Sequence, residues 1–325
     1  MEEIDFSVPT WLINYYHFIG VTSLFLNALG FYLLLWENEK MGTLKYYLLA
    51  FQVTAVLLDI HLTFLTQPVS LLPLISGYHV GLLSKWFNMS FHAALVTAIT
   101  IGVIEVESFI TCFLKKHQSI GVIINKHVAP SWFFGVWYTF AVSTCIIVAV
   151  WPQYVCMSKD EQWIYIQKTA PDYMSQFQML PNFEIYNMTQ GFSYFLVFAL
   201  CNGVILFFGL LLLNIDMFFM MREVKIRMSR ANFKKHQEAV LSLMVQLAIA
   251  TLAFGPLCMI VIVTLWDFSH KQLISEILIA WIVSHSSINN IGLILFFPPY
   301  RKFFVRISIF KKPKRIAIAV SSVVF

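Results

Sequence analysis

Polar side chains stranded inside apolar blocks are the residues of this chain whose types call for chemistry. Asp59 stands in "VLLDIHLTF", Asn27 in "LFLNALGFY", and Ser286, Asn289 and Asn290 in "HSSINNIGLILFF". Such a group costs several kcal/mol in hydrocarbon unless it faces protein or water, so each marks a site by default. A lone carboxylate such as Asp59 must take up a proton or meet donors, and asparagines of neighbouring helices, a cation or water would serve. Asn27, Asp59, Asn289 and Asn290, with Ser286, are therefore expected to form one network. It would tie the last apolar block to the first two, as interhelical glue or as a switch.

Other ionisable residues offer less. Glu105 and Glu107 are two positions apart, roughly 200° around a helix, so they cannot converge as a catalytic carboxylate pair. His61, His92 and His285 fall in the outer halves of their blocks. With Glu276 and Trp281 they are expected to line a pocket open to the outside, although packing or a structural hydrogen bond is the plainer role for any single histidine. Cys112, Cys145, Cys156, Cys201 and Cys258 show no CxxC or metal-type spacing, so no metal site and no cofactor are expected. A two-aspartate intramembrane protease would need Asp216 as its second acid, but no GxGD surrounds it, and a GxSG serine motif is missing. No catalytic residues are assigned.

The elements that must position these groups follow from composition. Of 325 residues, 59% are apolar and 12% charged, where a soluble domain carries about 25% charged residues. The apolar residues fall into seven blocks, roughly Trp11–Trp36, Leu44–Val69, Leu83–Leu114, Val128–Trp151, Phe192–Met220, Val240–Trp266 and Leu273–Phe297. Each is long enough to cross about 30 Å of hydrocarbon as a helix, and helix is the state that satisfies every backbone group there. The expected fold class is an all-α membrane protein, a seven-transmembrane helix bundle. Residues 68–83, broken by Pro68, Pro73, Gly77 and Gly81, read as a loop against the outer face. Pro256, beside Gly255, is expected to be a helix hinge in span six. With Glu2, Glu3 and Asp5 where a cleavable signal would be basic, the first span is expected to be an uncleaved anchor.

Orientation follows from charge. Eighteen of the 22 lysines and arginines lie in the connections after spans one, three and five and in the tail, which puts the N-terminus outside and the C-terminus in the cytoplasm. The expected layout is an extracellular 1–10, a membrane domain at 11–297 and a cytoplasmic tail at 298–325. In that tail Phe303, Ile307 and Phe310 recur at helical spacing, so a short amphipathic helix is expected to lie on membrane lipids. Two glycosylation sequons, at Asn88 and Asn187, fall on the outer side; Asn187 has the better access. The long connection 152–191 is rich in tyrosine and tryptophan and reads as an interfacial belt or a lid over a ligand cavity. The basic connection 221–240 suits the positive-inside rule or an acidic cytoplasmic partner.

In order along the chain, "NYYHFIG", "KYYLLAFQVTAVLLDIHLTFLTQP", "ESFITCFLKKHQSI" and "PPYRKFF" make the chain similar to G-protein-coupled receptors, and more narrowly to the nematode serpentine chemoreceptors of class i. The resemblance implies a receptor of sensory-neuron or ciliary plasma membrane that answers a small odorant or pheromone-like molecule and signals through a heterotrimeric G protein. Lys115, Lys116 and His117 take the place of the arginine that ends span three in rhodopsin-like receptors. With Arg222, Lys225, Arg227, Lys234, Lys235, Arg301 and Lys302 they form the expected G-protein-facing set. Span seven has no lysine, which excludes an opsin-type retinal Schiff base. The alternative is a multi-pass transporter or ion channel using Asp59, Glu105 and Glu107; the lack of an internal repeat counts against it. Nucleic acid is not expected as a partner.

Overall fold

Each apolar block becomes a helix because hydrocarbon offers backbone groups no other partner. The structure, a computed structural model, describes residues 4–36, 42–266, 268–296, 300, 301 and 303. Among the described residues six helices are long and apolar enough to span a membrane: α1 (Thr10–Trp36), α2 (Leu44–Ile60), continued by a π-helical turn to Thr66, α4 (Phe91–Ile124), α5 (Ser131–Val155), α8 (Gln190–Arg227) and α9 (Arg230–Leu265). A seventh span is made of α10 (Lys271–Val283) and α11 (His285–Phe296), bent by 44° at Ser284. The remaining short helices are α3 (Leu82–Phe87), α6 (Lys159–Thr169) and α7 (Met174–Met179).

The spans outlast their apolar blocks. The third does not begin at Leu83: α3 ends at Asn88 in the left-handed conformation, and Ser90 starts α4 by accepting the Ala93 N–H at 3.2 Å. At its other end α4 runs ten residues beyond Leu114, so Lys115, Lys116 and His117 lie within a helix and not in a loop. The basic connection 221–240 is also mostly helical; α8 and α9 are separated only by Met228 and Ser229. Hydropathy falls where lipid ends, but the i→i−4 hydrogen bonds continue. Pro256 lies inside an uninterrupted α9, while the resolved bend of the bundle is at Ser284. The tail helix expected at 298–325 lies outside the described residues apart from Tyr300, Arg301 and Phe303.

At one end of the bundle residues 68–83 are not simply a loop. Strands β1 (Pro68–Ser70), β2 (Ser76–His79) and β3 (Glu184–Ile185) form an antiparallel sheet in the order β1-β2-β3, with Val69 opposite Tyr78 and Gly77 opposite Glu184. Its residues, α6 and α7 share a small core of Val69, Leu71, Tyr78, Ile166, Phe177 and Ile185. Tyrosines 173 and 165 and Trp163 pack on that core, so much of the aromatic content of 152–191 builds a cap. All five cysteines are free thiols. The cap is held by apolar packing, strand pairing and the Glu184–Lys159 ion pair at 3.1 Å. The largest core lies toward the opposite, basic end, where Phe51, Phe109, Phe113, Met217 and Leu243 join α2, α4, α8 and α9. Outward-facing Ile205, Phe208, Leu212 and Phe219 of α8 stay exposed, a surface suited to lipid.

Candidate functional site

The polar residues of α1, α2 and α11 meet at mid-span. Asn27 is the centre: its Nδ2 lies 3.0 Å from Asp59 Oδ2, 2.9 Å from Ser23 Oγ and 3.1 Å from Ser286 Oγ. Its Oδ1 accepts from Asn290 Nδ2 at 2.8 Å, from Ser286 Oγ at 3.2 Å and from Gln52. Ser23 donates to Asp59 Oδ2, and Thr63 Oγ1 donates to the Asp59 backbone carbonyl at 2.6 Å. All seven of these residues are buried. The helices approach closely enough that a Cβ on Gly30 would stand 2.7 Å from Asn290 Oδ1. Asn289 is the exception to the expected set. It is buried, but its Oδ1 makes no hydrogen bond among the described residues and it joins none of these contacts. Adjacent helical residues diverge by about 100°, so Asn290 and Asn289 cannot serve the same neighbour.

The two glutamates of α4 diverge in the same way. Glu105 Oε1 lies 3.7 Å from His285 Nδ1 on α11, whereas Glu107 Oε2 accepts from Cys145 Sγ on α5 at 3.6 Å. The first contact ties α4 to the last span one residue beyond its bend.

At the sheet end the expected pocket residues separate. His61 Nε2 contacts the Ala94 carbonyl at 2.9 Å, and His92 Nδ1 contacts Tyr186 OH at 3.0 Å. Glu276 accepts from Trp11 Nε1 at 3.1 Å. Trp281, by contrast, is 46% exposed on the outer face of α10 and does not join them. Two residues that sequence reasoning passed over do: Tyr78 and His79 of β2. Tyr78 OH, His79 Nδ1 and His92 Nε2 are buried without a hydrogen bond among the described residues. Burial pushes the Tyr78 hydroxyl up to about 12, with the Glu276 and Asp5 charges adding to it. Burial lowers His79, with nearby His61 adding to it against the hydrogen bond to the Met89 carbonyl. Three polar atoms around β2 and the start of α4 are thus buried without a bond among the described residues.

The basic end holds a second polar cluster. Lys116 is buried, and its Nζ meets His236 Nδ1 on α9 at 3.2 Å. His117 Nε2 and His127 Nδ1 approach Asp216 Oδ2 at 2.7 and 2.8 Å. The ligand atoms of His117, His127 and Asp216 lie within 4.8 Å of one another, a metal-type arrangement that residues so far apart in sequence did not announce. Lys115 Nζ lies 3.7 Å over the Phe134 ring. Lys116 and His117 therefore do not form an open docking surface here; Arg222, Lys225, Arg227, Lys234 and Arg301 are exposed. The side chain of Lys235 and all of Lys302 lie outside the described residues. Asn187 is exposed, as is Asn88, whose Oδ1 accepts from Asn182 Nδ2 at 2.9 Å.

Seven spans, a polar network joining the first, second and last, and a sheet-capped end form a receptor-like arrangement. The family model described as serpentine type 7TM GPCR chemoreceptor Sri matches residues 2–304. The chain belongs to this family. Among solved structures this serpentine receptor is similar to squid rhodopsin, with 10% identity and a TM-score of 0.55 over 95% of this chain and 88% of that one. At such identity the likeness concerns the fold alone. No curated protein sequence matches the receptor. It is thus a multi-pass membrane receptor of the G-protein-coupled type, and the resemblance in its motifs is borne out.

Proposed function

We propose that this receptor sits in the plasma membrane of a sensory cell with its sheet-capped end outside, binds a small external molecule beneath that cap, and activates a heterotrimeric G protein at its basic end. The observation that carries this reading is the buried network of Asn27, Asp59, Ser286 and Asn290, which couples three spans through bonds that a change in helix packing must rearrange. The ligand would meet His61, His92, Glu276, Tyr78 and His79, whose unsatisfied polar atoms favour a molecule carrying hydrogen-bonding groups. Contact there would shift α10 against α1 and act on the Glu105–His285 pair below the bend. At the basic end the Lys116–His236 contact joins α4 to α9 and must part for a partner to enter between them.

A ligand can move such an equilibrium only by its differential affinity for the two packings. A shift from 1:99 to 99:1 needs about 5.5 kcal/mol. The test is a chemical panel applied to cells that express the receptor with a promiscuous G protein, read as agonist-dependent nucleotide exchange. Exchange that no compound elicits with any α subunit, at verified surface expression, would end this reading.

A further inference from the structure

We infer that His117, His127 and Asp216 form a binding site for a divalent transition-metal ion of the Zn2+ class, one that staples α4, the loop after it and α8 at the basic end. Three elements contribute one donor each, and the three donor atoms fall within 4.8 Å. Two imidazole nitrogens and one carboxylate oxygen are a donor set that zinc accepts with water in the fourth position. Imidazole nitrogen also selects Zn2+, Cu2+ or Ni2+ over Mg2+ and Ca2+, which take oxygen ligands. The open position has a natural side. His117 is buried within the bundle, while the His127 side chain is 58% exposed, so water reaches the site from the loop.

The loop is folded back to make this possible. Asn125 ends α4 in the left-handed conformation, His127 repeats it at φ 53°, and the Lys126 N–H donates to the Gly121 carbonyl at 3.0 Å. A Cβ on Gly121 would stand 2.7 Å from the Lys126 carbonyl oxygen, so only glycine lets the loop lie on α4. The return brings His127 Nδ1 to the same oxygen of Asp216 that His117 reaches from inside. Metal bonds of about 2.0–2.2 Å in a tetrahedron set donor atoms about 3.4 Å apart. Each nitrogen–oxygen edge, now 2.7 and 2.8 Å, must therefore open by about 0.6 Å. His127, on an exposed loop, has the freedom to do so.

Coordination needs the ring proton of each histidine on the nitrogen that does not bind the ion, Nε2 for His127 and Nδ1 for His117. Water at the open side of the site carries the proton there from the coordinating nitrogen. The change at His117 costs the 3.3 Å contact from Gln118 Nε2 to His117 Nδ1, so Gln118 must turn. Lys126, the nearest cation of the loop, is engaged by Glu223 at 2.7 Å and is thereby kept from opposing the ion.

The experiment uses the full-length receptor, purified in detergent with a tag free of histidine, stripped with chelator and dialysed against ZnCl2. One equivalent of zinc should remain, and the melting temperature should rise saturably with Zn2+ but not with millimolar Mg2+. Loss of a partner that merely orients a metal ligand weakens metal affinity 10–100-fold, so His127→Ala, which removes a direct ligand on an exposed loop, should weaken it at least about tenfold. His127→Cys, which restores a zinc donor, should recover it. Retention of no zinc, or equal affinity in wild type and His127→Ala, overturns the proposal and leaves the triad a hydrogen-bonded lock. Because the readout is metal content and melting, it stands apart from whether the receptor couples to a G protein.

Discussion

Lys116 and His236 meet across the basic end of the bundle, ammonium to imidazole Nδ1 at 3.2 Å, and so join the third span to the sixth. Lys116 is buried, and a buried ammonium without a partner is expensive. Lys116→Met keeps the aliphatic stem and removes both the charge and the bond. A hydrogen bond to a charged group contributes about 1.5–3 kcal/mol, so the closed packing should lose about tenfold to a hundredfold in population. Ligand-free nucleotide exchange on a coupled G protein should rise by about that factor, at equal surface expression. Unchanged basal exchange would show that this contact does not hold the bundle closed.

Asp59 accepts from Ser23 and Asn27 through a single oxygen, Oδ2. Asp59→Asn keeps the size and one accepting oxygen, so folding and delivery to the surface should stay near wild type while the ligand response shifts in potency or size. Asp59→Leu instead leaves the Ser23 hydroxyl without an acceptor and removes one of the three contacts of the Asn27 amide, which keeps Ser23 and Ser286, and should cost about 1–3 kcal/mol for the stranded donor. Melting in detergent separates the two variants. If Asn and Leu lower the melting temperature alike and neither moves the response, the network is only glue.

The legible part of this design was its membrane physics. Asp59, Asn27, Ser286 and Asn290 stood out because polar groups in apolar blocks are costly, and the fold brings those four together. Ser23 and Gln52 complete the network yet drew no notice, because an isolated serine or glutamine in a span is unremarkable by type. Their positions held a signal: Ser23 lies one turn before Asn27, and Gln52 two turns before Asp59, on the same helix faces. Asn289 and Asn290 are alike in type and adjacent in sequence, but neighbours on a helix face apart, and only Asn290 reaches the network. Trp281 went to a pocket by residue type and proved to face outward. The sheet and the histidine–aspartate cluster depend on contacts between segments far apart in sequence, which local pattern does not carry.

Two glycines separate packing from propensity. Alanine at Gly30 would drive a methyl group to 2.7 Å from Asn290 Oδ1, at the heart of the network, whereas a Cβ on Gly209 of α8 meets nothing within 4 Å. Gly30→Ala should destabilise by about 1–3 kcal/mol through overpacking. Gly209→Ala should be neutral or stabilising by up to about 1 kcal/mol, since alanine is the better helix former. Thermal melts of the two single variants decide it; equal melting temperatures would mean that α1 and α11 are not in close contact.

Cys156, just past the end of α5, supplies a pH test of the cap. Burial raises its thiol to about 11, with the negative Glu184 adding to the rise and Lys159 opposing it. The folded protein therefore holds the proton that an unfolded thiol, with its ordinary value of 9.0, releases, so this contribution to stability is present below pH 9 and is lost as pH climbs toward 11. Alkylation by a water-soluble iodoacetamide should be slow at pH 7.5 and accelerate between pH 9 and 11, because the thiolate is the nucleophile. In a Cys201→Ser background, rapid labelling of Cys156 at pH 7.5 would place it outside the packed cap.

The two sequons test which end faces out. Both end in hydroxyls that cap helices: Ser90 accepts from the Ala93 N–H and Thr189 from the Phe192 N–H. Their asparagines differ. Asn187 is exposed beside the cap, while Asn88 is held to Asn182 at 2.9 Å between two helices. If the sheet-capped end is extracellular, receptor expressed in a glycosylating cell should shift in mobility on treatment with an amidase that removes N-glycans. Asn187→Gln should abolish the shift, and Asn88→Gln should leave it unchanged. A tag at residue 1 should be stained on intact cells and a tag at residue 325 only after permeabilisation. The reverse staining would invert the bundle and move the cap, with its histidines and unsatisfied Tyr78 hydroxyl, to the cytosol, where no external molecule could reach it.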